Sequence, residues 1–158
     1  MIAAKNKTIA IDTPLAEVCL RRYEKPYNLS KRELVRKLCL SVGLLQPGDS
    51  RDVVVDVLYV LLEARRDGKE LSSEEVREDV IGLRKNEGLV LNGIASSNIR
   101  RQLKRLRDVF LVEKVKNNYR IAEFTRISEG FDEKLAKFLI PNIIERVKEY
   151  YRKVDEEF

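Results

Sequence analysis

Residues 50–66 read Ser-Arg-Asp-Val-Val-Val-Asp-Val-Leu-Tyr-Val-Leu-Leu-Glu-Ala-Arg-Arg, the most apolar stretch of the chain. Its β-branched residues would suit a strand, but 17 residues exceed the usual strand length, and the ends carry helix signals. Ser50 and Asp52 stand at the start, Arg65 and Arg66 complement the helix dipole in the last turn, and Gly68 follows. The spacing predicts a largely buried helix with other elements wrapped around it. A chain of 158 residues with 44% hydrophobic content is long enough to supply them.

Those elements can be placed from local signals. Residues 1–12 read as a strand or a frayed arm. Thr13-Pro14 opens a helix expected to reach about Glu24, because Thr caps well and Pro suits a first turn; Pro26-Tyr27-Asn28 ends it. Ser30-x-x-Glu33 is a capping box that starts a helix running to about Val42, and Gly43 stops it. A second box, Ser72-x-x-Glu75, opens a helix to about Asn86 with Val76, Val80, Ile81 and Leu83 inward. The similarity of the boxes hints at two copies of one helical unit, the first without a charged third helix.

Charge is concentrated further along. Residues 96–120 hold eight basic side chains and two acidic ones, a balance of +6 against +5 for the whole protein. At about 100° per residue, Ile99, Leu103, Leu106 and Phe110 share one sector, while Ser97, Arg100, Arg101, Lys104, Arg105 and Arg107 fan across the far side. Ser96 or Ser97 is the expected cap, which leaves Ser97, Asn98, Arg100 and Arg101 at the end that could meet base edges. Residues 111–115 then read as a strand, Lys116-Asn117-Asn118 as a turn in which Asn tolerates positive φ, and residues 119–124 as the returning strand. Tyr119, Ile121 and Phe124 would share its inner face, with Lys116, Asn117, Asn118 and Arg120 at or beside the tip. Basic side chains on a helix are often a solvated face and nothing more. Sparse acidic interleaving and the basic hairpin that follows favour a nucleic-acid interface instead.

The order of these pieces, a helix from Ser50, extended Lys69-Glu70-Leu71, a capped helix from Ser72, a basic helix from Ser97 and a hairpin over 111–124, resembles the winged helix-turn-helix superfamily. The resemblance spans about residues 49–124. It implies a mainly α fold whose third helix enters a major groove and whose wing touches the adjacent backbone. The DNA-contacting positions would be Ser97, Arg100, Arg101, Lys104, Arg105 and Arg107 on the helix, and Lys116, Asn117, Asn118 and Arg120 on the wing. One departure is the long connection 88–95, whose Leu89, Val90, Leu91 and Ile94 are expected to pack on the core or a partner. The expected organisation is an N-terminal helical extension over 1–48, the winged domain over 49–127 and a C-terminal helical dimerisation segment over 128–158.

That last segment carries a wide stripe, Leu135, Phe138, Leu139, Ile143, Ile144, Val147, Tyr150 and Tyr151, interrupted by Pro141, which would kink one helix or begin a second. Such a stripe suits packing back on its own domain or pairing with a second copy, and the second is the expectation here. Other classes find little support. With no His there is no Ser-His or Cys-His nucleophile, and no glycine-rich phosphate loop occurs, so no enzyme and no cofactor are expected. Cys19 and Cys39 are too far apart for a zinc motif and read as buried thiols on apolar helical positions. Charged residues at 36% with few labile side chains resemble hyperthermophile proteins, suggesting an archaeal or deep-branching bacterial source. The sequence thus predicts a cytoplasmic, homodimeric transcriptional regulator on double-stranded DNA, with no membrane partner. The alternative is a winged-helix protein-interaction module in a transcription, replication or chromosome-organising assembly.

Overall fold

The computed structural model describes residues 12, 14, 16–20, 22 and 25–158 of the chain. Its elements are helices α1 (Lys31–Ser41), α2 (Val53–Arg66), α3 (Ser73–Asn86) and α4 (Ser96–Asp108), with strands β1 (Leu71–Ser72), β2 (Val112–Val115) and β3 (Asn118–Ile121). A short 3₁₀ turn (Ala122–Phe124) leads to α5 (Ile127–Gly130), a π-helical stretch (Phe131–Leu139) and α6 (Ile140–Glu157). The strands form one antiparallel sheet in the order β1-β3-β2, with Leu71 opposite Tyr119 and Val112 opposite Ile121. The molecule is mainly helical, and no helix among the described residues is long and apolar enough to cross a membrane.

Helix α2 is the centre, as its composition requires. Val54, Val55, Val57, Leu58 and Leu61 are fully enclosed, and α1, α3, α4 and β3 all pack on it. Residues of α1 (Val35, Cys39, Leu40), α3 (Val76, Val80) and α4 (Ile99, Leu103, Leu106) complete the core, with Tyr119 and Ile121 closing it from the sheet. The alternation of buried Tyr119 and Ile121 with half-exposed Asn118 and Arg120 is the period of a strand with one covered face. Burial pushes the Cys39 thiol up to about 12, so it stays protonated and unreactive.

Asp56 lies in the middle of this apolar helix with no exposure at all. A lone buried carboxylate would be costly, and two guanidinium groups meet it. Arg32 of α1 donates from Nε to Oδ1 at 2.8 Å, and Arg84 of α3, itself buried, binds Oδ2. Both arginines also reach Asp52, at 2.9 and 3.1 Å. Burial would raise the Asp52 carboxyl, but the hydrogen bonds from Arg32 and Arg84 outweigh it and hold the group below its ordinary value. Four side chains therefore join α1, α2 and α3. Asp52 does stand at the N-cap position of α2, but its carboxylate makes no cap bond and serves this cluster instead.

Several local expectations are corrected by packing. At Ser72 the capping box closes in both directions, whereas at Ser30 only the bond from Glu33 N forms and the Glu33 carboxylate turns to Arg36. Of the helix expected over 13–24, residues 13, 15, 21, 23 and 24 lie outside the described residues, as do residues 1–11 of the arm expected over 1–12. Residues 16–20 are not helical: this segment runs beside the end of α1, with Cys19 N donating to Ser41 O at 2.8 Å and half-buried Cys19 off any helix. Gly43 makes this possible, since its φ of 75° suits glycine and the Glu17 side chain occupies the space a Cβ would need.

Helix α4 is capped by Ala95, not by a serine, and no side chain bonds its first turn. It ends at Asp108, and Phe110 adopts a φ of 64°, which swings its ring out of the sector of Ile99, Leu103 and Leu106 and leaves it exposed. The positive φ of the hairpin falls on Lys116 (57°), not on an asparagine, and the tip is the two residues Lys116 and Asn117. β3 stops at Ile121. Glu123 and Phe124 then take φ values of 54°, so Phe124 leaves the strand face and lies 4.8 Å from the Arg120 guanidinium.

Asp56→Ala should lower unfolding free energy by about 3–5 kcal/mol, because Arg84 would remain buried with one of its two carboxylate partners gone. A loss under about 1 kcal/mol in urea titrations at neutral pH would contradict this. The depressed Asp52 carboxyl contributes stability above its unfolded value, and that contribution is lost as pH falls through the folded value. Stability should therefore drop below about pH 4, and Asp52→Asn should flatten that acid limb.

Candidate nucleic-acid interface

The basic face of α4 is positioned from beneath and from its N-terminal side. Ile99, Leu103 and Leu106 anchor it to the core, joined by Gln102, which the periodic reading left out and which is buried at 8% exposure. The preceding connection is tied at three backbone carbonyls. Arg84 Nε donates to Val90 O at 2.8 Å, Arg77 Nε to Ile94 O at 2.7 Å and Asn98 Nδ2 to Gly93 O at 2.7 Å. With the main chain anchored, Val90 (66% exposed) and Leu91 stay at the surface and not on the core, which leaves the partner half of the expectation open. Of the other two apolar residues of this connection, Ile94 packs against the core and Leu89 is half-buried.

The expected contact residues divide by what their side chains already hold. Arg100, Arg101 and Arg107 are exposed and have no acidic partner among the described residues. Lys104 is exposed and meets only Asp108, one turn away at 3.0 Å, a solvated pair of little energetic weight. Ser97 is exposed beside them in the first turn, where backbone N–H groups are unpaired. Arg105 is different. Its guanidinium donates to Leu44 O at 2.6 Å and to Gln102 Oε1 at 2.8 Å, fastening α4 to the loop after α1. Asn98, also expected at this end, is taken up by Gly93 and Gln102.

In the hairpin, Lys116 and Asn117 form the exposed tip, while Asn118 is the first residue of β3 and pairs with Val115 and Ser72. Lys114 projects from β2 with its ammonium 5.6 Å from the Tyr119 ring. Arg120 lies along the uncovered face of the sheet: it binds Glu113 of β2, reaches Glu70 at 3.3 Å and stacks on Phe124. Glu113 also accepts the Glu123 N–H at 2.9 Å. Burial would raise the Glu113 carboxyl, but that N–H and Arg120 hold it below its usual value. Arg105 and Arg120 thus work as fasteners, a role no charge count could separate from that of Arg100. Among the described residues, no three His, Cys, Asp or Glu side chains gather at metal-binding distance.

This division can be tested without any ligand. Arg105→Ala and Arg120→Ala should each cost about 1–2 kcal/mol of stability, because charge-assisted hydrogen bonds are lost and their acceptors stranded. Arg100→Ala and Arg101→Ala should stay within about 0.5 kcal/mol of the parent. Equal effects of all four in urea denaturation would erase the distinction.

No protein-family model, no curated protein and no solved structure matches this chain, so the surface itself carries the functional reading.

Proposed function

We propose that the chain is a winged helix-turn-helix DNA-binding protein, acting as a homodimeric transcriptional regulator. In this reading α4 lies in the major groove, and the Lys116–Asn117 tip of the β2–β3 hairpin rests on the neighbouring backbone. The observation that carries it is the set of arginines left without acidic partners on α4. A chain that holds Arg32, Arg77, Arg84, Arg105 and Arg120 within its own fold leaves Arg100, Arg101 and Arg107 exposed along one helix, without an acidic partner among the described residues. Such a cluster repels itself unless a polyanion neutralises it. The order α2, β1, α3, α4, β2, β3 supports the reading, and the pairing of β1 with β3 draws helix and hairpin into one unit. The contact set narrows to Ser97, Arg100, Arg101, Lys104, Arg107, Lys116 and Asn117, with Arg105, Asn118 and Arg120 holding these in place.

A specific observation favours a second reading as a protein-interaction module: Val90 and Leu91 are exposed on the connection that leads into α4. Salt separates the two, because release of counterions makes duplex affinity fall steeply as salt rises.

Arg100→Ala together with Arg101→Ala should weaken binding to a selected duplex by about 1–3 kcal/mol for each side chain that meets a base edge bidentately, with circular dichroism unchanged. Lys116→Gln should lower affinity for all sequences alike and flatten the log–log salt slope by about one. Unchanged affinity in the double variant, or a random-duplex affinity indifferent to salt, would overturn the proposal in favour of the interaction module.

A further inference from the structure

Asn98, Gln102 and Arg105 follow one another at helical spacing along the edge where α4 meets the body, and their side chains form one continuous run of hydrogen bonds. Arg105 donates from Nη2 to Leu44 O at 2.6 Å and from Nη1 to Gln102 Oε1 at 2.8 Å. Gln102 donates from Nε2 to Asn98 Oδ1 at 3.1 Å, and Asn98 donates from Nδ2 to Gly93 O at 2.7 Å. From the guanidinium to Gly93 every bond points the same way, so each polarises the next. Neither amide can turn over without setting donor against donor on one side and acceptor against acceptor on the other.

Both ends of the run are themselves held. Leu44 is buried, and its N–H donates to Cys39 O at 2.9 Å. Gly93 has a φ of 77°, and a Cβ there would stand 3.0 Å from Asn98 Nδ2 and 3.4 Å from Val53 Cγ1, so the connection before α4 comes as close as a glycine allows. Gln102 is the middle link. It is buried and spends its oxygen on Arg105 and its amino group on Asn98. What the run adds is a rotational setting, because the apolar contacts of Ile99, Leu103 and Leu106 are non-directional. A turn of about 10° about the helix axis moves a side chain at the helix surface by about 1 Å. That is enough to misalign a bidentate base contact, whereas a long, mobile cation still reaches its phosphate.

We propose that Gln102 is a positioning residue for base reading: through Asn98 and Arg105 it fixes the rotation of α4 at which Ser97, Arg100 and Arg101 meet base edges. This role rests on the DNA-binding reading. It adds a buried residue that governs discrimination between sequences and leaves affinity for duplex as such to the exposed cations.

Sequence discrimination reads this role directly, as the ratio of affinities of the full chain for a duplex selected by the parent and for random duplex, with folding checked by circular dichroism. Gln102→Met keeps the length of the side chain and removes both links. It should lower the ratio at least about tenfold, the size of one lost bidentate contact, while random-duplex affinity and its salt slope stay at the parent's values. Gln102→Glu keeps the acceptor for Arg105 and loses the donor to Asn98, so its ratio should fall between those of the parent and Gln102→Met. If Gln102→Met does not fold, Gln102→Glu carries the test by the same criteria. Asn98→Ala should match Gln102→Met, and the two together should lose no more than either alone, because one run of bonds is broken once. Additive losses would mean that Asn98 meets the duplex by itself and would overturn the proposal. So would an unchanged ratio in Gln102→Met, or an equal loss of selected and random affinity, the mark of a merely structural residue. A salt-responsive parent with an unaltered ratio in the variant faults this proposal alone, and a parent indifferent to salt overturns the DNA-binding reading and this role with it.

Discussion

Everything on the α1–α4 side of the molecule depends on how one carboxylate is neutralised. Asp56 is fully enclosed on a helix whose residues 53–62 are otherwise all Val, Leu or Tyr, where an unpaired charge is not tolerated. Arg32 and Arg84 supply the counter-charge from two different helices, and Asp52, one turn earlier, gives each a second acceptor. Apolar packing alone would let three helices slide or rotate with little penalty. Directional bonds to a single buried residue make one arrangement satisfied and its neighbours unsatisfied.

The same cluster reaches the candidate interface. Arg84 binds Asp56 and Asp52 through Nη1 while its Nε holds the Val90 carbonyl. That carbonyl belongs to the connection leading into α4, whose other ties are Arg77 and Asn98. Core electrostatics and the placement of α4 are thus joined in one guanidinium group. At the far end of α4, Arg105 repeats the device by gripping Leu44 O. The exposed arginines project from a helix fastened at both ends, which is how a rigid element presents side chains at a defined spacing.

Opposite logic governs the C-terminus. There the chain forms a long helix with no buried residue, whose apolar stripe stays exposed among the described residues. One part of the molecule satisfies its buried charges internally, and the other leaves its apolar groups exposed in a single chain.

Sequence alone determined whatever depends on neighbours within a turn or two. The central helix follows from composition, the Ser72–Glu75 box from adjacent residues, the segregation of Ile99, Leu103 and Leu106 from Arg100, Arg101 and Lys104 from helical period, and the covered face of β3 from alternation. Even the lone Asp56 in its run of valines was a signal that cations had to arrive, although it named neither of them. Tertiary structure decided which charges are used and which remain. Arg105 and Arg100 are equivalent by periodicity, and only the position of Leu44, 61 residues earlier, separates them. Arg32 and Arg84 lie 24 and 28 residues from Asp56, beyond the reach of any local pattern. Phe110, Val90 and Leu91 look like core by hydropathy, yet a left-handed residue and anchored carbonyls turn them to solvent. Helical period and capping are set by the chain's own geometry, whereas the partner of a charge is set by whichever segment packs beside it.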